Sequence, residues 1–298
     1  MNIDLVNRAA DAYLADAEGA TEARFAFMKG LWALQAELES TAPTHSAPDA
    51  ETAREALVTG QPLFLVSPPA VSADAYRAAI ARVVTHILEA AVLDETETNA
   101  LAITDVPAAV TDSMVASAAR DFSQFVGDVS TALQSVSKGG TPSKATLAFV
   151  LHTALVPFLA AASAASLEAL GDIEWSIWGS GHCPVCGAAA ALGRMSESTA
   201  TQGAGRTLWC SRCHATWAYE RIRCARCGSR KPDSLHYTYD EADPAHRVHL
   251  CDECHGYLKV TFENETDKPI SMVVEEAASI TLDAIALANG YTGAGADA

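Results

Sequence analysis

The sequence predicts an α+β protein in which an all-helical N-terminal domain precedes a smaller domain built around cysteines and short strands. Apolar residues recur at helical intervals through the first 172 residues, whereas Gly, Cys, His and Trp dominate from Trp175 onward. All eight cysteines lie between residues 183 and 254, and a helical pattern returns after Asn264. We therefore predict three parts: a helical domain (1–172), a metal-binding domain (173–263), and a C-terminal helix and tail (264–298).

Several helices of the first part can be placed from apolar spacing and capping residues. One is predicted over Thr21–Glu39, another after the N-cap Ser72, and a third from Phe122. Thr141 followed by Pro142 predicts the start of the next, because proline is favoured at the first helical position. These apolar stripes predict a core. We find no combination of residues typical of a catalytic centre in this half, so we expect no enzymatic activity.

One segment of the helical domain is long and apolar enough to cross a bilayer. Residues 145–167 contain no Asp, Glu, Lys or Arg. The segment nevertheless carries His152, Pro157 and many alanines, and neither an aromatic belt nor a basic flank frames it. We therefore expect a central helix that is buried on all sides, and no membrane insertion.

Charge is distributed unevenly along the chain. The formal net charge is −17, yet residues 180–260 carry ten Lys/Arg against eight Asp/Glu. The acidic excess elsewhere should repel nucleic acid and anionic membranes. The first 18 residues have neither the basic start nor the apolar stretch of a secretory signal. We expect a cytoplasmic protein, because a reducing compartment favours metal binding by cysteines over disulfides.

The cysteines form four Cys-x-x-Cys pairs that repeat with a fixed offset. The pairs are Cys183/Cys186, Cys210/Cys213, Cys224/Cys227 and Cys251/Cys254. Adding 41 to each cysteine of the first module (183–213) gives its counterpart in the second (224–254). The same offset maps Gly187 onto Gly228, Arg206 onto Arg247 and His214 onto His255. The sequence therefore contains an internal duplication of one four-cysteine unit.

The spacing within each pair suits metal binding. Two intervening residues let one tight turn present both sulfurs to a single ion, and a following glycine, as at Gly187 and Gly228, can close that turn with a positive φ. Two such turns complete a tetrahedron of thiolates around zinc or iron. We predict two Fe or Zn ions, each in a four-cysteine site. A module of about 30 residues has too small a core to fold alone, so the metal should supply folding energy.

Other interpretations of the cysteines are weaker. Disulfides would require export, and dithiol redox catalysis would require a βαβ context that we do not find. Haem attachment matches Cys-x-x-Cys-His at 210–214 and 251–255, but it leaves the other two pairs unexplained. Pairing within each module is the simplest arrangement, and an interleaved one, with the first and third pairs on one ion, stays open. His182, His214 and His255 are surplus to four sulfurs, so we expect them behind the ligands or at the surface.

A basic run lies between the two modules. It comprises Arg221, Arg223, Arg226, Arg230 and Lys231. Such runs bind nucleic acid in some zinc ribbons, but they are also solvated charges or contacts with a protein's own acidic surface. Since the remainder of the chain is strongly acidic, we favour the second interpretation and expect no nucleic-acid binding.

The motifs around the cysteines resemble those of the formate dehydrogenase accessory proteins. The resemblance rests on Cys-Pro-Val-Cys-Gly (183–187), Trp-Cys-Ser-Arg-Cys-His-Ala-Thr-Trp (209–217), Arg-Cys-Ala-Arg-Cys (223–227) and Cys-Asp-Glu-Cys-His-Gly-Tyr-Leu-Lys (251–259). It implies rubredoxin-like metal centres in a cytoplasmic assembly factor. It also implies a partner, the catalytic subunit of a respiratory, molybdenum- or tungsten-dependent formate dehydrogenase, bound before export. The N-terminal likeness is only general.

We therefore predict tandem rubredoxin-like or zinc-ribbon modules in a non-enzymatic accessory protein, a chaperone that matures a formate dehydrogenase by binding its catalytic subunit. A rubredoxin-like electron-transfer protein is one alternative, and a nucleic-acid-binding zinc ribbon is another. Visible absorbance bears on the first, because ferric tetrathiolate is coloured and zinc is not. A gel shift on DNA or RNA tests the second.

Overall fold

A computed structural model describes residues 1–15, 17–136, 140–196 and 205–293 of the chain. In this part of the chain, helices occupy the N-terminal half and return after the sheet. They are α1 (Ile3–Leu14), α2 (Ala20–Ser40), α3 (Ala50–Val58), α4 (Leu63–Val66), α5 (Ala73–Ala90), α6 (Glu95–Ile103), α7 (Val106–Ala109), α8 (Asp112–Ala118), α9 (Phe122–Val136), α10 (Lys144–Leu170), α11 (Met272–Ala278) and α12 (Ile280–Ala288).

Side-chain caps set where several of these helices begin. Ser72 is the N-cap of α5 as predicted, and its hydroxyl accepts a hydrogen bond from the N–H of Ala75 at 3.4 Å. The predicted start of α10 at Thr141–Pro142 is wrong by two residues. Ser143 is the N-cap, because its hydroxyl accepts from the N–H of Thr146 at 3.1 Å. The carboxylate of Glu97 also accepts from the N–H of Ser143, which leaves Pro142 outside the helix.

Helix α10 is the central helix of the helical domain. Helices α2, α5 and α9 pack around it, and 67% of its most apolar stretch is buried inside the protein. The phenol of Tyr76 donates to the carbonyl of Leu151 at 2.8 Å, and the amide of Gln35 donates to the carbonyl of Thr153 at 3.1 Å. The apolar segment noted in the sequence thus belongs to a core helix, as we expected. It is not buried on all sides, however, because Phe149 is 41% exposed.

The cysteine domain is built on one six-stranded sheet. Its strands are β1 (Leu192–Met195), β2 (Arg206–Trp209), β3 (Thr216–Tyr219), β4 (Leu235–Tyr239), β5 (His246–Cys251) and β6 (Gly256–Phe262). They lie in the order β3-β2-β1-β6-β5-β4, antiparallel within each module. The two modules meet through a parallel pairing of β1 with β6, in which Leu192 is opposite Lys259. The first strand of one module therefore lies beside the third strand of the other.

Three of the six strands could be predicted from the sequence. The Tyr, Trp, Val and Thr content of Thr216–Arg223, Leu235–Tyr239 and Tyr257–Phe262 predicts strands there. Strand β4 has the predicted bounds, β6 begins one residue before the predicted start, and β3 ends at Tyr219, short of the predicted end. Strands β1, β2 and β5 were not predicted. They are short, and β5 contains two histidines and an arginine, so its burial comes from the sheet and the helices around it.

The sequence predicts one C-terminal helix over Ile270–Asn289, closed by Gly290, but the structure has two helices in this segment. The break falls at Ser279, whose hydroxyl donates to the carbonyl of Glu275 at 2.7 Å. Helix α12 ends at Ala288, and Gly290 follows its C-cap with the positive φ, 82°, of the predicted closing glycine. The helix packs on Val248 through Leu282. Residues 294–298 of the predicted tail lie outside the described part of the chain.

Two different kinds of contact join the helical domain to the sheet. The first module shares one continuous hydrophobic core with α2, α5, α9 and α10, and Ala225, Leu258 and Val260 of the second module also belong to it. The second module is joined in addition through a buried polar cluster, in which the ring of His246 lies 2.7 Å from a carboxylate oxygen of Asp243 and 2.8 Å from one of Glu275. The phenol of Tyr13 on α1 donates to Glu275 at 3.0 Å. The cluster therefore connects α1, β5 and α11.

The charge on His246 depends on these partners. Burial by itself lowers the pKa of His246, but hydrogen bonds and charge–charge attraction from Asp243 and Glu275 outweigh it and raise the pKa to about 9. His246 is therefore protonated at neutral pH, and the cluster is a buried ion pair.

Candidate metal centres

The first module brings its four sulfurs into one compact group, which we call site I. The sulfurs of Cys183, Cys186, Cys210 and Cys213 all lie within 4.8 Å of one another, and all four residues are buried. The Cys183–Cys213 and Cys186–Cys210 sulfur pairs are each 3.5 Å apart, too far for a disulfide. Four sulfurs about 2.3 Å from one ion lie about 3.8 Å from each other, so the group has the dimensions of a tetrahedral site.

The second module forms an equivalent group, site II. It consists of Cys224, Cys227, Cys251 and Cys254, with sulfur distances of 3.8 Å for Cys224–Cys254 and for Cys227–Cys251. The structure thus has the tandem pairing and not the interleaved one. Each group could hold one metal ion. Four thiolates suit iron as well as zinc, and ligation by these eight cysteines stays a prediction.

Backbone N–H groups orient the sulfurs in both sites. The sulfur of Cys183 accepts from Val185 and Cys186 at 3.4 and 3.5 Å. The sulfur of Cys224 accepts from Arg226 and Cys227 at the same two distances. Such bonds help to hold the two sulfurs of each turn in position.

Each of the four turns is closed by a residue with positive φ. Gly187 and Gly228 have φ values of 77° and 76°, as the sequence predicted. The same position in the other two turns is occupied by His214 and His255, at 58° and 52°. Sequence reasoning missed this role, although both histidines directly follow the second cysteine of a pair, as the glycines do. Histidine tolerates this region less well than glycine, so both positions carry backbone strain.

The histidines beside the cysteines are not part of either sulfur group. The ring of His214 stacks on Trp209 with centroids 5.4 Å apart, and burial lowers the pKa of His214 to about 4. His182 and His255 are exposed, and the ring of His255 lies 6.0 Å from that of Tyr291. Among the described residues, both candidate ligand groups consist of cysteines alone.

The two sites differ in their surroundings. At site I the N–H groups of Leu63 and Phe64, on α4, donate to the carbonyls of Pro184 and Val185 at 2.9 Å. The helical domain thus holds the first turn of site I directly. At site II, Cys227 is exposed and Cys254 is half-buried. The edge of any ion at site II lies close to solvent.

Part of the basic run is neutralised by the domain's own acids. Arg230 and Arg223 pair with Glu220 at 2.6 and 3.1 Å, and Lys231 pairs with Glu253 at 2.8 Å. The hydrogen bonds from Arg230 are the largest cause that lowers the pKa of Glu220, to about 2. These pairs fit the interpretation of the run as charges that contact the protein's own carboxylates.

Fold and sites together define an α+β protein with a helical domain and tandem groups of four cysteines, and comparison with known proteins finds relatives of this chain. Residues 222–298 match the family model described as FdhE, C-terminal domain. The crystal structure of the FdhE protein from Pseudomonas aeruginosa superimposes with a TM-score of 0.62, over 98% of this chain and 94% of that one. At 22% identity this likeness shows the fold.

Two curated relatives carry the same name. Protein FdhE of Escherichia coli K12 is 35% identical over 111 residues, which are 37% of this chain and 34% of that protein. The FdhE homolog of Shewanella oneidensis is 32% identical over 109 residues, 37% of this chain and 35% of that protein. The alignments thus span about a third of the relatives' length. The resemblance to the formate dehydrogenase accessory protein family is confirmed.

Proposed function

We propose that this protein is a metal-binding cytoplasmic accessory factor that binds the catalytic subunit of a formate dehydrogenase and supports its maturation. It acts without an enzymatic activity of its own. The observation that carries the proposal is the pair of four-cysteine groups within a fold that matches an FdhE structure over nearly the whole chain. The match of residues 222–298 to the FdhE C-terminal domain covers all four cysteines of site II.

The geometry supports a binding role for the metal domain. Eight sulfurs would fully ligate two ions in four-coordinate sites, which would leave no open position for a substrate. Closed sites of this kind supply folding energy and shape a surface. The function of the metals would then be to hold the sheet and its loops in a form that the client recognises.

Electron transfer is the second candidate, and one observation favours it. Cys227 is exposed, so an iron ion at site II would lie near the surface as a donor or acceptor of electrons requires. Ferric iron in four sulfurs would absorb visible light and bleach on reduction. A colourless protein that contains zinc and still supports maturation would exclude this candidate.

The experiment is deletion of the gene and complementation with variants. Deletion should abolish respiratory formate oxidation while the transcript of the catalytic subunit persists, and the parent gene should restore activity. A Cys224→Ser, Cys227→Ser variant should fail to restore it. The exposed Arg54→Glu change on α3 is the control and should restore activity fully.

A pull-down shows whether the effect is direct. The catalytic subunit should co-purify with the parent protein from cytoplasm and should not do so from the exported enzyme. Normal formate oxidation in the deletion strain would refute the proposal. It would leave a metal-binding protein with a different partner.

A further inference from the structure

A concave surface where the second module meets β1 and β2 is lined by arginines. The cavity has a volume of about 380 Å³ and lies between the segment 221–226 and the face of β4, β5 and β6. Five arginines and two histidines line it: Arg206, Arg221, Arg223, Arg226, Arg247, His236 and His249. No aspartate or glutamate is among the lining residues that the structure describes. This concentration of arginines occurs in a chain of net charge −17, and Arg223, Arg247 and His236 also pair with acids that lie outside the lining.

Arg206 is the most buried of these cations. It is 3% exposed, and its Nε has no hydrogen-bond partner among the described residues. Its Nη2 donates to the carbonyl of Arg223, and its guanidinium lies 5.1 Å from the ring centre of Tyr219. None of the ion pairs of the described residues includes Arg206. A buried guanidinium without a carboxylate is unfavourable, and burial lowers its pKa to about 10. An incoming anion would relieve that penalty.

The internal duplication explains why two equivalent arginines, one from each module, line one cavity. Arg206 on β2 and Arg247 on β5 are counterparts at the 41-residue offset. The parallel β1–β6 joint sets the two modules side by side in one sheet, so both arginines line the same hollow. Arg247 stacks over Phe262, 4.0 Å from the ring centre, and its ion pair with Glu265 is long at 3.3 Å.

Large apolar side chains lie exposed at the rim of the cavity. Ile222 is 65% exposed and Tyr237 is 59% exposed, and both line it. Tyr239 stacks on Tyr237 at the outer side. Arg and Tyr are the residues enriched at the centres of protein interfaces, and exposed apolar groups beside them indicate a surface that a partner covers.

We propose that this cavity, the arginine cavity, binds an acidic segment of a polypeptide partner, with carboxylates on the guanidinium groups and an apolar side chain against Ile222 and Tyr237. Charge complementarity selects the acidic segment. The inference deepens the proposed function, since it names the surface that takes the client. The structure favours a peptide over nucleic acid because exposed Ile222 and Tyr237 offer a seat for an apolar side chain beside the arginines. A nucleic-acid backbone would need a longer basic surface, and Arg230 and Lys231, which lie outside the lining, already pair with acids.

The test uses the full-length, metal-loaded protein and a fluorescein-labelled 12-residue peptide with six Asp/Glu around one Phe. A twin peptide replaces each acid with its amide. The acidic peptide should bind at least about tenfold more tightly than the twin, and added salt should weaken it. Arg221→Glu should weaken binding about tenfold, because Arg221 is exposed and has no ion pair among the described residues. Arg54→Glu, the same charge change on α3, should leave binding unchanged.

Other outcomes overturn the inference. Equal binding of both peptides, no binding of either, or no effect of Arg221→Glu would each do so. Displacement of the acidic peptide by a 12-nucleotide RNA at lower concentration would assign the cavity to nucleic acid. A dimer of the parent that Arg221→Glu converts to monomer would assign it to the acidic surface of a second copy.

Capture of the formate dehydrogenase catalytic subunit separates this inference from the proposed function. If Arg221→Glu weakens capture of the subunit and Arg54→Glu does not, the result supports both the proposed function and the arginine cavity. Capture that is equal for the two variants refutes the arginine cavity as the client site and leaves the proposed function standing. Peptide binding at the cavity without capture of the subunit by the parent protein refutes the proposed function and keeps the cavity as an acidic-segment site.

Discussion

Site I and site II each have four cysteine sulfurs, with equivalent turns and equivalent N–H···S bonds, but site I lies inside the protein and site II lies at its surface. Site I belongs to the core that the first module shares with the helices, and α4 holds one of its turns. Site II has an exposed Cys227, and a polar cluster joins its module to α1 and α11. After a duplication, one copy can take over the connection between domains while the other copy stays available for contacts.

The different surroundings of site I and site II predict that the two sites contribute unequally to the free energy of unfolding. Cys183→Ser with Cys186→Ser should lower the free energy of unfolding of the whole protein by several kcal/mol, because site I lies in the shared core. That is a large part of the roughly 5–15 kcal/mol that stabilises a typical domain. The measurement is thermal unfolding followed by circular dichroism.

The matched variant is Cys224→Ser with Cys227→Ser. It should leave the helical domain folded, with limited proteolysis cutting between residues 175 and 260 and sparing residues 1–170. Superimposable melting curves and digests for the two double variants would show that burial of the site does not decide its contribution.

Metal release should occur in two phases. The ion at site II should reach a chelator first, through the exposed Cys227 and the half-buried Cys254. The ion at site I should leave at least about tenfold more slowly, because its four cysteines are buried and release requires local opening. Release of bound metal over time, read with a chromogenic chelator, gives both rates. A single phase for both ions would contradict the difference in exposure.

The polar cluster should make the attachment of the second module depend on pH. The folded-state pKa of His246, about 9, lies above the ordinary value of 6.5. The contribution of the charged His246 to the free energy of unfolding is therefore complete below pH 6.5. It is lost as pH rises through 9. At 1.36 kcal/mol per pKa unit the full contribution is about 3 kcal/mol.

Denaturant unfolding between pH 6 and 10 measures this effect. His246→Gln should flatten the profile, whereas His236→Gln, which removes an exposed histidine paired with Asp252, should leave it as in the parent. A parent whose stability stays constant from pH 6.5 to 9.5 would rule out a charged His246.

The smallest expected effect concerns the two strained turns. His255→Gly should stabilise the protein by about 0.5–1 kcal/mol, because glycine adopts the positive φ freely and the ring of His255 is exposed. His214→Gly removes the same strain but also the ring that stacks on Trp209, so it should destabilise by about 1–2 kcal/mol. Equal shifts in the midpoint of denaturant unfolding would mean that the stacking contributes nothing.

The sequence predicted the features whose causes are local. The cysteine spacing, the duplication and the positive φ of Gly187 and Gly228 follow from short motifs. Ser72 caps its helix through a residue three positions away. The arginine cavity could not be predicted, because it requires Arg206 and Arg247 to meet through the β1–β6 joint.

Long-range contacts also account for the errors. Glu97 bonds the N–H of Ser143 from 46 residues away, and α10 begins after Ser143. Strand β5 is held in place by β4, β6 and α12, and its own alternation of polar and apolar residues is a weak signal.

The head-to-tail joint between the modules has a consequence for assembly. Because β1 of the first module pairs with β6, the counterpart of β3, the union is heterologous: the two surfaces in contact are different, and each module keeps one unused partner edge. The outer edge of β4 corresponds to the edge of β1 that binds β6, and the outer edge of β3 corresponds to that of β6. A third module added at either end could form the same pairing. The sheet therefore has the open, repeating geometry of a filament, but it contains only two modules. The four residues of β3, against which Trp175–Ile177 packs, offer a short edge to any further strand.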